Sequence, residues 1–459
     1  MFDLVIIGSG PGGYRAAVLA AQRRLKVAIV ERDAWGGACL NRGCVPKKAW
    51  YHTARLAAAA GRFARRGLSG TLTPDIAQAW SFQRTVVDTV RVSYIDYLDR
   101  IGVKRVEGGA RFLDAHRISV ADTVLETRHA IIATGSRPFV PENLRLGGAQ
   151  VLTTDALFEL PLPGGRRVAV LGSGAVGTEL AYILTQLGLE VLWLTGAQPL
   201  SQSRFSAPAR ARLGEALAAQ GVVPRLGSRP RALRTEANGL CLELPDGRQE
   251  RVDWVLAGTG RVPNTDALGL DAAGVRCDAS GFVEVDTRQR SSAAHIYAIG
   301  DCANPLMTAN HAIAEAQIAV TAIASPAAAA GASDWVPEVV YSAIEIARAG
   351  ATEDELEEAD REYAVGFASF AQNPAALAED AAEGYVRLLV GRDDGRLLGC
   401  EIAGPAAGEL VHLATPGDRA EALLKRLAHA RINHPSLGET FFDAADSLVA
   451  QWGFAPGGE

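Results

Sequence analysis

Apolar positions along the chain come in short runs closed by glycine. Phe2–Ile7 is such a run, interrupted only by Asp3 and the length of a strand. It stops at Gly8-Ser9-Gly10-Pro11-Gly12-Gly13 and is followed by an Ala-rich helix and a second strand, Lys26–Val30, ending at Glu31. The same order recurs later. Val168–Leu171 leads into Gly172-Ser173-Gly174-Ala175-Val176-Gly177, a helix, and a strand Val191–Leu194 ending at Thr195. The spacing from first glycine to strand-end residue is the same in both. Strand, glycine turn, helix, strand is the unit of a doubly wound parallel sheet that binds dinucleotides. Further strands are expected near Asp253–Leu256 and His295–Ile299.

After the low-complexity run Ser325-Pro326 through Ser333 the pattern changes. Val339–Tyr341, Tyr363–Phe370, Tyr385–Val390 and Leu397–Ile402 read as antiparallel strands, the last two joined by Asp393-Asp394-Gly395, a hairpin turn. Thr352 and Glu355 form a capping box that starts a helix between the first two. Leu160-Pro161-Leu162-Pro163-Gly164-Gly165 punctuates entry into the second glycine unit. The expected fold is α/β, with two doubly wound dinucleotide-binding domains and a C-terminal α+β domain. We place the first domain at 1–148, the second at 149–264, a central part completing the first at 265–333, and the last domain at 334–459.

Size and charge narrow the function. At 459 residues the chain needs two to four domains. A net charge of −6 argues against a nucleic-acid binder, and the basic run Arg62, Arg65, Arg66 reads as a solvated helix face. No apolar run reaches the ~18–20 residues that cross a bilayer. No basic leader precedes the first strand, so we expect no signal peptide, no membrane partner and a cytoplasmic protein. Of the cysteines at 39, 44, 241, 277, 302 and 400, the last four are scattered, so reduced packing residues and no metal site are expected.

Two glycine fingerprints in strand–turn–helix context point to two dinucleotide sites. Gly8, Gly10, Gly12 and Gly13 with Pro11 form the first; Gly172, Gly174 and Gly177 with Ala175 and Val176 form the second. Each turn passes close to a pyrophosphate, the helix N-terminus supplies N–H donors, and Glu31 accepts from a ribose. The segment Gly36-Gly37-Ala38-Cys39-Leu40-Asn41-Arg42-Gly43-Cys44-Val45-Pro46-Lys47-Lys48 is the most informative in the chain, because it holds the one pair of closely spaced cysteines. Pro46 suits a helix start, which puts Cys44 where the dipole favours a thiolate, and Arg42, Lys47 and Lys48 add positive field.

This segment resembles the class I pyridine nucleotide-disulfide oxidoreductases, which include dihydrolipoamide dehydrogenase, glutathione reductase and mercuric reductase. The resemblance extends to Ala133-Thr134-Gly135-Ser136, Thr259-Gly260-Arg261-Val262-Pro263-Asn264, Ile296-Tyr297-Ala298-Ile299-Gly300-Asp301 and His434-Pro435-Ser436-Leu437-Gly438-Glu439. It implies FAD in the first domain, NAD in the second with NADP as the other choice, and a homodimer built on the third. It implies that Cys44 lies against the flavin and that Cys39 exchanges with substrate. Gly37, Ala38, Thr134, Gly135, Ser136, Gly260, Arg261, Gly300 and Asp301 become cofactor-binding candidates, Asp301 at the FAD ribityl or phosphate. Glu179 resembles the flavin-side glutamate paired to a lysine, either Lys47 or Lys48. His434 resembles the proton-transferring base and Glu439 its orienting carboxylate, serving the Cys pair of the partner subunit.

The chain also departs from the pattern. Thr195 stands where NAD-users usually carry Glu; Arg204 is a candidate phosphate partner further on. Tyr341-Ser342-Ala343-Ile344-Glu345 lacks the His-Pro that dihydrolipoamide dehydrogenases show before the glutamate, and Ala414-Thr415-Pro416-Gly417-Asp418 interrupts a family helix. Ala455-Pro456-Gly457-Gly458-Glu459 carries no cysteine pair, unlike mercuric reductase. Gly12-Gly13-Tyr14-Arg15-Ala16-Ala17 and Pro405…Gly408-Glu409-Leu410 lean towards dihydrolipoamide dehydrogenase. The expected reaction passes electrons from a dihydrolipoyl group, on a carrier protein or as a small disulfide substrate, through Cys39–Cys44 and FAD to NAD, with a modest preference over NADP. The competing readings are a glutathione-reductase-like NADPH enzyme and a non-catalytic flavoprotein scaffold; the Cys pair, His434 and Glu439 speak against the scaffold.

Overall fold

The computed structural model describes residues 1–144, 150–237, 239–327, 335–414 and 433–452. Thr415–Asp418, the later part of the 325–333 run and Ala455–Glu459 lie outside the described residues. Two compact units are present: 1–57, 70–171 and 230–333 form one, and 58–69, 172–229 and 334–459 the other. This division by packing runs through the second glycine unit, leaving its first strand in unit one and its turn and helix in unit two.

In unit one the strand Phe2–Ile7 is central. It pairs in parallel with Val27–Glu31 (Leu4 opposite Val27, Ile7 opposite Val30) and with Thr123–Ile132 (Phe2 opposite Thr127, Ile7 opposite Ile132). Lys104–Glu107 extends the sheet beyond Val27–Glu31, and Ile296–Ala298 pairs in parallel with residues 130–132. Leu4, Val5 and Ile6 are fully buried because both faces are covered, one by helices over Leu4 and Ile6 and the other by Phe112, Ile118, Val120 and Leu268 over Val5, which is why the run is continuous rather than alternating. Pro11–Gln22 and Ala309–Ala324 share one apolar cluster with Leu4 and Ile6. Parallel pairing sends the strand ends to one edge. Gly8 N–H donates to Val30 O, Ala133 N–H to Ile7 O and Ile299 N–H to Ile132 O, at 2.8–2.9 Å. The loops beginning at Gly8, Ala133 and Ile299 therefore meet at the carboxyl ends, where doubly wound sheets bind ligands. The strand expected near residues 253–256 is Trp254–Ala257, parallel to Arg167–Leu171 and Val151–Leu152. A three-stranded antiparallel sheet, Ala232–Glu236, Gly239–Glu243 and Gln249–Val252, was not expected.

Unit two holds an antiparallel sheet ordered Glu338–Tyr341, Glu345–Gly350, Leu397–Gly404, Tyr385–Gly391, Tyr363–Ser369. The Thr352–Glu355 capping box is present, with both reciprocal hydrogen bonds. Glu345–Gly350 is missing from the sequence reading although it lies inside the sheet. All six of its residues are buried, so it shows no alternation, and Ala347, Arg348 and Ala349 are poor strand signals. Arg348 is tolerated there because its guanidinium pairs with Glu338 Oε1 at 2.6 Å. The Arg62, Arg65 and Arg66 run lies on the solvated surface, as expected, and makes contacts there as well. Arg62 donates to Asp380 O at 2.7 Å, Arg66 to Ala378 O at 3.1 Å, and Arg65 pairs with the Asp380 carboxylate, so this run docks on residues 378–380.

The helix Glu439–Trp452 lays Phe441, Ala444, Ala445 and Leu448, a period-3.6 stripe, into the unit-two core. It approaches the strand Tyr363–Ser369 at Gly366, where an added Cβ would sit 2.4 Å from Ala444 O and 2.9 Å from Leu448 Cγ. Phe367 N–H donates to Ser447 Oγ at 2.9 Å on the same line. This contact sets where the helix N-terminus, and with it Glu439, is held. Among the described residues no helix is long and apolar enough to cross a membrane. Gly366→Ala should destabilise the protein by about 1–3 kcal/mol through that clash. Gly214→Ala, on an exposed helix position where a Cβ meets nothing within 4 Å, should be neutral or stabilising by up to about 1 kcal/mol. Thermal unfolding of the two variants checks the opposite signs; an undisturbed Gly366→Ala midpoint would contradict the packing described.

Candidate active site

The two glycine turns are near copies in three dimensions. The first glycine of each has positive φ, 105° at Gly8 and 129° at Gly172. Gly13 and Gly177 touch those first glycines: an added Cβ would sit 1.9 Å from Gly8 O and 2.3 Å from Gly172 O. Gly10 and Gly174 differ. Each caps a 12-residue helix, Pro11–Gln22 or Ala175–Gln186, in ordinary extended conformation, and an added Cβ would meet no protein atom within 4 Å. Nothing inside the protein demands glycine there; close approach of a phosphate to backbone N–H groups does. Pro11, Ala175 and Val176 occupy the first helical positions, where N–H groups lack intrahelical partners. The residues present fit a dinucleotide at each turn. Gly12 serves packing, its Cβ position being 3.0 Å from Ala312 O.

Glu31 is buried, and its carboxylate accepts four hydrogen bonds, from Ser9 N–H (2.9 Å), Ser9 Oγ (2.6 Å), Arg32 N–H (2.9 Å) and Asp33 N–H (3.0 Å). A ribose hydroxyl must share this carboxylate with Ser9. Ser9 Oγ in turn accepts from Gly36 N–H at 2.9 Å, and an added Cβ on Gly37 would lie 2.8 Å from Gly10 Cα. One hydroxyl thus ties the nucleotide turn, the strand-end carboxylate and the redox segment together. Ser9 was only a spacer in the sequence reading.

The redox segment is two helices, Gly37–Arg42 and Cys44–Ala59, hinged at Gly43. Cys39 and Cys44 are joined by a disulfide with Cα atoms 4.8 Å apart. Gly43 O accepts from Lys47 N–H, making Cys44 the first helical residue and placing Pro46 among positions that need no donor. Cys44 therefore sits at the positive end of a 16-residue helix. Asn41, buried and unremarked in the sequence, donates to Trp35 O (3.0 Å) and Gly37 O (2.9 Å) and accepts from Arg91 (2.9 Å), locking the helix that carries Cys39. Arg42 departs from expectation. Its guanidinium pairs with Asp33, with Glu159 (3.4 Å) and with Asp155 (3.9 Å). Three carboxylates cancel the field it was expected to lend Cys44. Burial works against its charge, but those partners raise its pKa on balance.

At the carboxyl edge, Thr134 Oγ1 donates to Asn264 O (2.7 Å) and Asn264 Nδ2 to Thr134 O (3.1 Å), binding the Thr134-Gly135-Ser136 segment to the segment carrying Gly260 and Arg261. Ser136 Oγ donates to Asp301 Oδ2 at 2.5 Å, and Arg261 donates to Ser136 Oγ at 2.6 Å. Asp155 lies 3.8 Å from Arg261 and 3.9 Å from Arg42, so alternating charges run from Asp301 back to the redox helix. Beneath Gly300, buried Glu315 accepts its N–H at 2.6 Å and Asn304 Nδ2 at 2.5 Å; burial raises its pKa. A carboxylate on the apolar stripe of Ala309–Ala324 was the overlooked signal. Cys302 is buried with its thiol pKa pushed up to about 11 by burial, a packing residue. Among the described residues no cluster suited to a metal ion is present.

In unit two, Glu179 is buried and its Oε1 accepts Tyr341 N–H at 2.8 Å. Burial, with Glu345, Glu409 and Glu179, pushes the Tyr341 phenol up to about 12. In unit one, Lys48 Nζ lies 5.5 Å from the Tyr51 ring centroid. Thr195 is buried and its hydroxyl faces Arg225 O at 3.4 Å. Arg204 is no phosphate partner: it forks onto Glu355 at 2.9 and 2.8 Å and reaches Glu338 at 3.4 Å. His434 Nδ1 donates to Glu439 Oε1 at 2.8 Å while Ser436 N–H donates to Glu439 Oε2 at 2.7 Å. The carboxylate can only accept, so Nδ1 carries the proton and Nε2 is left to accept another. His434 and Ser436 hold the Glu439 pKa below the ordinary carboxylate value. Its grip on His434 is therefore present above the usual carboxylate range and lost only as pH falls through that lowered value.

An enzyme assembled from these parts is a flavoprotein that exchanges electrons between a dithiol and a second dinucleotide. Comparison with known proteins agrees. Residues 2–316 match the family described as pyridine nucleotide-disulphide oxidoreductase, and residues 336–445 match its dimerisation domain. The dihydrolipoyl dehydrogenase of Haloferax volcanii is 34% identical over 465 residues, covering 98% of this chain and 96% of the relative. That of Thermus scotoductus is 35% identical over 457 residues, covering 98% of each. The crystal structure of LpdA from Mycobacterium tuberculosis superposes with a TM-score of 0.87 at 26% identity, covering 97% of this chain and 99% of that one. The HOCl-induced flavoprotein disulfide reductase RclA from Escherichia coli shares the fold, with a TM-score of 0.82 at 24% identity over 97% of this chain and 99% of that one. The chain belongs to the pyridine nucleotide-disulphide oxidoreductase family and is an FAD-dependent disulfide oxidoreductase.

Proposed function

We propose that the chain oxidises a dihydrolipoyl dithiol, on a carrier protein or as the free amide, and passes two electrons to a pyridine nucleotide. The observation that carries the proposal is the Cys39–Cys44 disulfide, with Cys44 first in its helix and the segment tied to the nucleotide turn through Ser9. The dihydrolipoyl dehydrogenases aligned over nearly their full length support this substrate class. A substrate thiolate attacks Cys39 Sγ; the Cys39–Cys44 bond breaks and Cys44 leaves as a thiolate, favoured by the helix N-terminus. The second substrate thiol then displaces Cys39, closing the lipoyl disulfide and leaving two reduced cysteines. His434 Nε2 takes the proton released, and Glu439 is the positioning residue that fixes the tautomer. Bound FAD supplies two-electron passage from the reduced pair to the nicotinamide. Gly8, Gly10, Pro11, Gly12, Gly13 and Glu31 would hold its adenosine and pyrophosphate end, with Asp301, Thr134, Gly135, Ser136, Gly37 and Ala38 around the remainder.

The homodimer is part of the proposal. Residues 336–445 match the family's dimerisation domain, and the His434 side chain is 72% exposed in the single chain, as a group serving a partner's site would be.

Steady-state turnover with lipoamide, protein-bound lipoyl and oxidised glutathione, each with NAD(H) and NADP(H), tests the substrate. We expect kcat/KM for the lipoyl substrates to exceed that for glutathione by roughly a hundredfold or more; a preference for glutathione would promote the glutathione-reductase-like reading. Mixing inactive His434→Ala with inactive Cys39→Ser subunits tests the interface. Random exchange makes half the dimers mixed, each with one intact site of two, so about a quarter of wild-type activity should return. No rescue after verified exchange would place His434 in its own subunit's site.

A further inference from the structure

The two dinucleotide units diverge at the residue that meets the adenosine ribose. In the first, the strand ends on the Glu31 carboxylate. In the second it ends on Thr195, whose hydroxyl faces Arg225 O, and is followed by Gly196. Backbone hydrogen bonds then fix what lies beside this strand end. Arg225 N–H donates to Trp193 O (2.8 Å), Thr195 N–H to Arg225 O (3.0 Å) and Ser228 N–H to Thr195 O (3.0 Å). Residues 225–228 are thereby held in register along the strand end, and the next residue, Arg229, is delivered to Gly196. Its guanidinium Nη2 lies 3.5 Å, and its Nε 3.7 Å, from where a Cβ on Gly196 would sit. Gly196 puts no side chain in the way. Arg229 is exposed, and among the described residues no carboxylate pairs with it.

We infer that Arg229 makes this strand end a 2′-phosphate pocket, so that the second unit takes the phosphorylated class of pyridine nucleotide, NADP(H), in preference to NAD(H). The inference rests on the reading that the second glycine turn seats the pyridine nucleotide. A carboxylate at position 195 would repel a 2′-phosphate; the threonine does not. A guanidinium offers a charged fork of donors suited to phosphate oxygens. The modest preference for NAD was drawn from Thr195 and a distant Arg204, and Arg229 reverses its sign. Arg204, the cation expected for this task, is consumed by Glu338 and Glu355. The cation comes instead from a segment more than 30 residues after the strand, brought back by the backbone pairing at 225–228.

Calorimetric binding of 2′,5′-ADP and 5′-AMP to the flavin-loaded enzyme tests this without turnover. Wild type should bind 2′,5′-ADP roughly tenfold or more tighter than 5′-AMP. Arg229→Ala should abolish that difference while leaving 5′-AMP affinity in place, and Arg229→Lys should keep part of it. Equal affinity for the two ligands in wild type, or a difference that survives Arg229→Ala, overturns the inference. Binding of neither ligand overturns the nucleotide-site reading with it. The readout does not depend on which disulfide the enzyme turns over.

Discussion

The Ser9 hydroxyl is the interaction on which the redox site depends. It donates to the Glu31 carboxylate at 2.6 Å and accepts from Gly36 N–H at 2.9 Å. A hydrogen bond to a buried carboxylate is roughly twice as strong as a neutral one. Here it joins three segments that only the fold brings together: the glycine turn, the end of the second strand and the entry to the redox helix. The close approach of Gly37 to Gly10 follows from it. The disulfide is thus held against the nucleotide turn by backbone geometry, and Cys44 needs only the helix N-terminus to favour its thiolate. Arg42, with three carboxylates around it, serves instead to join the redox helix to Asp155 and, through Arg261, to Asp301.

Unit two arranges its own polar pair by equally local means. The pressing of the Glu439–Trp452 helix onto Gly366 sets the position of its first residue, Glu439. Glu439 then spends one oxygen on Ser436 N–H and the other on His434 Nδ1, so the imidazole presents Nε2 outward. A carboxylate at a helix N-terminus stays ionised easily, which keeps that orientation through neutral and mildly acidic pH.

Much of this was legible in the chain because it is written in short segments. The two glycine turns, the Cys39–Cys44 pair ahead of Pro46, the Thr352–Glu355 capping box and the His434–Glu439 pair each declare themselves within a few residues. What escaped lies in contacts between distant segments. Arg42 reads as a free cation until Asp155 and Glu159 arrive more than a hundred residues later. Arg204 reads as the phosphate partner until Glu338 and Glu355 claim it, and Arg229 goes unremarked until the pairing at 225–228 positions it. Glu345–Gly350 hides because a strand buried on both faces loses its alternation, and its arginine is admissible only beside Glu338.

The central claim is that Cys44, first residue of its helix, is the thiolate that meets the flavin, and that Cys39 is the exchange thiol. Anaerobic two-electron reduction of wild type, Cys44→Ser and Cys39→Ser, followed by absorption spectroscopy, tests it directly. A thiolate against the flavin gives a long-wavelength charge-transfer band. The account predicts that band in wild type and Cys39→Ser and its absence in a Cys44→Ser protein that still binds FAD. A band that survives in Cys44→Ser and vanishes in Cys39→Ser would contradict it.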